Sequence, residues 1–142
     1  MAPGRPPLPS STVALVHEVI VKSPLGRLLG LVPEEVREDD ATVRLPFRAD
    51  VTTVGDLVHG GALAALVDVA ATAAAWSTST PPAEARGTTV GLTVNYLAPA
   101  RGRDVVAHAT VVRRGRSLVV CDVEITAGDE PCVKALVTYK LG

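Results

Sequence analysis

Hydrophobic positions in this chain follow two rhythms. From Leu57 to Trp76 (LVHGGALAALVDVAATAAAW) apolar residues fill almost every position. That density over such a length reads as one helix, running to about Ser77. A polar, proline-bearing loop over 77–86 follows, and then the period becomes two. Val90, Leu92, Val94 and Tyr96 alternate with Thr89, Gly91, Thr93 and Asn95, the pattern of a half-buried strand. Val105 to Arg113, Leu118 to Thr126 and Cys132 to Tyr139 predict three more strands. Turns at 99–103, at Arg114-Gly115-Arg116 and at 127–131 separate them.

Upstream of the long helix, Ser10, Ser11 or Thr12 caps a short helix through Val13, Val16, Val19 and Ile20, which Pro24 ends. Leu28 to Val36 and Ala41 to Arg48 predict two strands joined by the acidic turn Glu38-Asp39-Asp40. A helix apolar on every face must be covered on most sides. The order helix, two strands, long helix, four strands therefore predicts an α+β fold in which one antiparallel sheet curls around the helix. The start, MAPGRPPLPSS, predicts a disordered tail over 1–11 ahead of a single domain over 12–142.

Composition narrows the possibilities. Hydrophobic residues make up 47% of the chain but aromatics only 3%, so the core is built from Val, Leu and Ala. The net charge of -1 argues against nucleic acid or an acidic membrane as a partner. Cys121 and Cys132 fit no metal spacing and are too few for a disulfide framework, which predicts reduced thiols. The proline-rich start lacks the apolar run of a secretion signal. Ala62 to Trp76 is too short for a membrane span, which needs about 20 apolar residues, and Asp68 interrupts it. The expected location is the cytoplasm.

Asp68 is the anomaly. Burying an unpaired carboxylate costs several kcal/mol in practice, roughly 3–5, so such a group needs donors, a raised pKa or a wet pocket. Ala64, Ala65, Thr72 and Ala75 lie three, four and seven positions away on its helix face. The carboxylate thus sits on a stripe of small residues that leaves room for a ligand or a second helix. At the helix start, Gly60 and Gly61 leave backbone N–H groups free of side-chain cover, at the positive end of the helix dipole. Such groups suit an oxygen that is gaining negative charge. Taken singly, each residue has a plain structural reading: a solvated aspartate, a hydrogen-bonding His59, glycines that permit close packing.

The combination His59-Gly60-Gly61, Asp68 and Thr72 resembles the central helix of the hotdog-fold acyl-CoA thioesterases, closest to the branch named for the phenylacetate-degradation thioesterase. Gly87-Thr88-Thr89-Val90, Asn95-Tyr96-Leu97-Ala98-Pro99-Ala100 and Arg114-Gly115-Arg116-Ser117 extend the similarity from about Leu28 to Leu141. The resemblance implies that Asp68 is the general base or nucleophile of thioester hydrolysis and that the Gly60 N–H polarises the carbonyl. It implies that His59 holds the helix start, that Thr72 binds or orients, and that Thr89 positions water. It further implies an active site shared between two subunits, a homodimer pairing into a homotetramer, and no cofactor or metal. Several members carry Asn or Gln six positions before the histidine, where this chain has Thr53. The coenzyme A phosphates suit arginine forks, and Arg113, Arg114 and Arg116 are the candidates. Three other readings carry distinct expectations: a non-catalytic acyl-CoA-binding module, a hotdog hydratase or dehydratase, and a purely structural oligomer.

Overall fold

A computed structural model describes residues 7–142; the first six, part of the expected tail, lie outside the described residues. Helix α1 (Ser10–Ala14) starts right after Pro9 and continues as a π-helical segment, Leu15–Val21, whose wider turn closes with Lys22 N–H bonded to His17 O at 3.2 Å. Pro24, expected to end this helix, instead opens another. In α2 (Pro24–Leu29) it occupies the first turn, where its missing N–H costs nothing. Ser23 Oγ accepts from Gly26 N–H at 3.3 Å, and Gly30, at φ 74°, ends the helix in the left-handed conformation. The strand expected from Leu28 therefore begins only at Val32 (β1, Val32–Arg37). Its partner β2 (Asp40–Leu45) stops at Pro46, which has no N–H to give a ladder.

The long helix α3 (Gly60–Trp76) and the four strands β3 (Gly87–Tyr96), β4 (Val105–Arg114), β5 (Leu118–Ala127) and β6 (Glu130–Leu141) follow as expected. All six strands form one antiparallel sheet in the order β1-β2-β4-β5-β6-β3. The sheet's inner face is a set of alternating small and β-branched residues. Val43, Leu45, Val105, Ala107, Ala109, Val123, Ile125, Val133 and Val137 are all buried. Against them pack Leu66, Val67, Ala70, Ala71, Ala73 and Ala74, each 0% exposed. Past its two opening glycines, only a stripe of α3 containing Ala64, Ala65, Asp68, Val69 and Thr72 stays half-buried.

Two one-residue bulges change which side chains face the helix. In β3, Leu92, Val94 and Tyr96 lie opposite the buried Val137, Ala135 and Val133 of β6, so they face inward. Strict alternation would then turn Val90 inward and Thr89 outward. The register shifts between Thr89 and Gly91, however, and Thr89 falls opposite the buried Tyr139. In β4 the register shifts between Val111 and Arg113, which sets Arg114 opposite the buried Val119 and turns it inward as well.

Arg114 closes the C-terminal end of α3. A buried helix end leaves four carbonyls to satisfy, and here all four have donors. Ser77 Oγ reaches Ala73 O at 2.6 Å, and Ser77 N–H reaches Ala74 O at 3.1 Å. The Arg114 guanidinium donates to Ala75 O at 3.0 Å, and Thr78 N–H reaches Trp76 O at 2.9 Å. Arg114 is itself held by Asp39 Oδ1 at 2.7 and 2.9 Å, and Asp39 sits at φ 60° in the β1–β2 turn. Replacing Arg114 by Ala leaves a carboxylate and a carbonyl without their donor. The expected loss is about 2 kcal/mol, read as a fall in Tm of roughly 4–8 °C by calorimetry; an unchanged Tm would contradict this account.

Both cysteines are 0% exposed and unpaired. Burial pushes the Cys121 thiol up to about 12, and burial also raises Cys132. Since the thiolate is the reactive form, native protein at pH 8 should give no colour with a disulfide thiol reagent, and unfolded protein should titrate two thiols.

Candidate active site

Asp68 projects from the half-buried stripe of α3 toward the edge strand β3. Its Oδ1 accepts a short hydrogen bond, 2.5 Å, from Thr89 Oγ1. This is the length of a strong hydroxyl-to-carboxylate bond, and the β3 bulge makes it possible. Oδ2 takes no hydrogen bond from the described residues, so one carboxylate oxygen is oriented and the other is available. Thr72 lies one turn further along, but its hydroxyl donates to the Asp68 backbone carbonyl at 2.9 Å rather than to the carboxylate. Beneath this group, Trp76 Nε1 donates to the Tyr139 hydroxyl at 3.0 Å. Burial raises the Tyr139 phenol above its ordinary range, and the negative charge of Asp68 adds to the shift. The Trp76–Tyr139 pair was not visible as such in the sequence, because only strand register brings Tyr139 opposite Thr89.

The other end of α3 is built differently. His59 precedes the helix, and its Nδ1 accepts from Gly61 N–H at 2.8 Å, a side-chain cap. Its own N–H bonds to Val51 O at 2.8 Å, tying the cap to the preceding loop. His59 O accepts from Leu63 N–H at 3.1 Å. Among the described residues, Gly60 N–H has no acceptor. It lies at the positive end of a seventeen-residue helix, beside a cleft of about 340 Å³ lined by Thr53, Leu57, Leu63, Tyr96 and Leu97, among others. Tyr96 donates its hydroxyl proton to Gly60 O at 2.8 Å.

Of the residues singled out in the sequence, the structure brings Asp68 and Thr89 together, with Thr72 on the adjoining turn. It gathers His59, Gly60 and Thr53 at the helix start. It does not bring these two groups together within one chain. Asp68 lies eight residue steps beyond Gly60 along the helix, about 12 Å at 1.5 Å per residue. The three arginines part company: Arg113 and Arg116 are exposed, whereas Arg114 is committed to Asp39 and the helix carbonyls. No described helix is long and apolar enough to cross a membrane.

This architecture has well-defined relatives. A thioesterase family protein from Silicibacter pomeroyi superposes with a TM-score of 0.84 over 92% of this chain and 99% of its own, at 25% identity. A protein of Halobacterium salinarum, named as a candidate esterase, is 34% identical, with 83% of each chain covered. A medium/long-chain acyl-CoA thioesterase of Salmonella typhimurium is 31% identical over 90% of this chain and 92% of the relative. The six-stranded sheet curled around one long helix is the hotdog fold. The sequence profile of the Thioesterase superfamily matches residues 55–134, from the loop before α3 into β6, and the chain belongs to that superfamily.

Proposed function

We propose that this chain hydrolyses an acyl-CoA thioester to the free acid and coenzyme A, as a member of the branch named for the phenylacetate-degradation thioesterase, acting in the cytoplasm. The observation that carries the reading is the Asp68 carboxylate: half-buried on a stripe of small residues, with Oδ1 held by Thr89 at 2.5 Å and Oδ2 left open. The acyl-CoA thioesterase relative from Salmonella typhimurium supports the substrate class.

The thioester carbonyl oxygen faces Gly60 N–H, which strengthens its bond as negative charge develops on that oxygen. Asp68 takes a proton from water, the water oxygen bonds to the carbonyl carbon, the C–S bond breaks, and the proton goes to the departing sulfur. Direct attack by Asp68 followed by hydrolysis gives the same products. His59 caps the helix start that presents Gly60 N–H, Thr72 steadies the Asp68 turn, and Thr53 lines the cleft where relatives place an amide. Arg113 and Arg116, exposed near the far hairpin, are the arginines left for the coenzyme A phosphates.

Because about 12 Å separates Gly60 from Asp68 along one helix, a complete site needs Asp68 of one subunit and Gly60 of the partner subunit. Strand β3 is the means. It is an edge strand whose outer N–H and C=O groups are unpaired, and Val90 and Leu92 stand 56% and 42% exposed on it. Two copies joined there form a dimer, and dimers pair into a tetramer.

Asp68→Asn should cut kcat by about 10²–10⁴, measured as coenzyme A release across short, long and aromatic acyl-CoAs; wild-type rates in the variant would remove Asp68 from the chemistry. Gly60→Pro tests the donor. His59 is already extended at ψ 133°, as a residue before proline must be. Proline suits the first helical position and lacks only the N–H. A loss of about 10²–10³ is expected. Co-expressed Asp68→Asn and Gly60→Pro chains should recover activity, since each mixed dimer holds one intact site. Two inactive variants that stay inactive together would rule out sharing.

A further inference from the structure

Among the described residues, two backbone donors of the first helical turn have no acceptor, Gly60 N–H and Ala62 N–H, and of these two residues only Gly60 lines the cleft. Two successive peptide planes meet at this residue. In the first, His59 O accepts from Leu63 N–H at 3.1 Å, and the Gly60 N–H is free. In the second, Gly60 O accepts from the Tyr96 hydroxyl at 2.8 Å, and Gly61 N–H is bound by His59 Nδ1 at 2.8 Å. The second plane is thus pinned at both polar ends, and the side chain that pins its oxygen comes from β3.

That pin matters because two glycines begin the helix. Glycine is the residue freest to rotate about its backbone, and the first turn of a helix is the part that frays. A side chain on residue 60 would restrict it; the Tyr96 ring lies at ordinary van der Waals distance, 3.4–3.5 Å, from where a Cβ would stand. The ring packs beside the glycine, and the hydroxyl fixes the carbonyl. The same ring walls the cleft beside Leu57, Leu63 and Leu97 and is 54% exposed.

We propose that Tyr96 is a positioning residue: it fixes the direction of the Gly60 N–H by clamping the adjoining peptide, and so governs stabilisation of the oxyanion. This inference rests on the hydrolysis proposed above. A donor that is loosened rather than deleted should cost less than the roughly 10²–10³ of a full deletion.

The test uses full-length Tyr96→Phe and Tyr96→Leu. Tyr96→Phe keeps the ring and loses the clamp. Its kcat should fall about 5–20-fold, with KM within about twofold and Tm within about 2 °C of wild type. Amide exchange in the free protein should quicken at Gly61 and Ala64 and stay unchanged around Asp68. Tyr96→Leu should add a rise in KM, because the cleft wall goes too. A wild-type kcat in Tyr96→Phe overturns the proposal, as does a fall in kcat accompanied by uniform loosening of the whole helix. If wild-type protein releases coenzyme A from no acyl-CoA, the hydrolysis reading fails. The exchange arm then still decides whether Tyr96 clamps Gly60, and unchanged exchange at Gly61 and Ala64 overturns the clamp by itself.

Discussion

A helix buried on nearly every side has to dispose of its end groups, and this requirement organises the molecule. At the C-terminal end of α3 the four last carbonyls are matched by Ser77, Thr78 and Arg114, with Asp39 holding the arginine. At the N-terminal end, among the described residues, two donors are left without an acceptor, Gly60 N–H and Ala62 N–H, and Gly60 lines the cleft. The helix is sealed at its C-terminal end and left with open donors at the end that borders the cleft. An open backbone donor costs little where water reaches it, and it acts more strongly once a substrate excludes that water.

The same economy holds for Asp68. A carboxylate at this depth would be expensive in a closed core. It is tolerable because α3 leaves one stripe uncovered, and because Thr89 supplies a hydroxyl from the neighbouring strand. The stripe and the edge of β3 are two parts of one unfinished surface. Apolar Val90 and Leu92 at that edge are a liability for a lone chain and an asset for one that pairs with a copy of itself.

Much of this was legible in the residue pattern. The long apolar run had to be a covered helix, and the period-two stretches after it had to be a sheet. The errors are equally physical. Pro24 read as a terminator because proline breaks helix interiors, yet Ser23 ahead of it and Gly30 after it form a cap at each end, and the three together specify α2. Arg114 read as a phosphate-binding turn residue, because a two-residue period points its neighbour Arg113 inward instead. Tyr139 gave no local signal, since its role follows only from which residue faces it across two strands.

The bulge at Val90 has a consequence for how this strand can vary. Its segment from Leu92 to Tyr96 follows one parity, and Thr89 follows the other. One extra amino acid lets a single edge strand wall the cleft at one end and serve the carboxylate at the other. Chain length at this point therefore carries as much information as side-chain identity. Insertion of one residue between Thr89 and Leu92 acts like a frameshift written in space: every side chain is retained, and the threonine is dealt to the wrong side of the sheet.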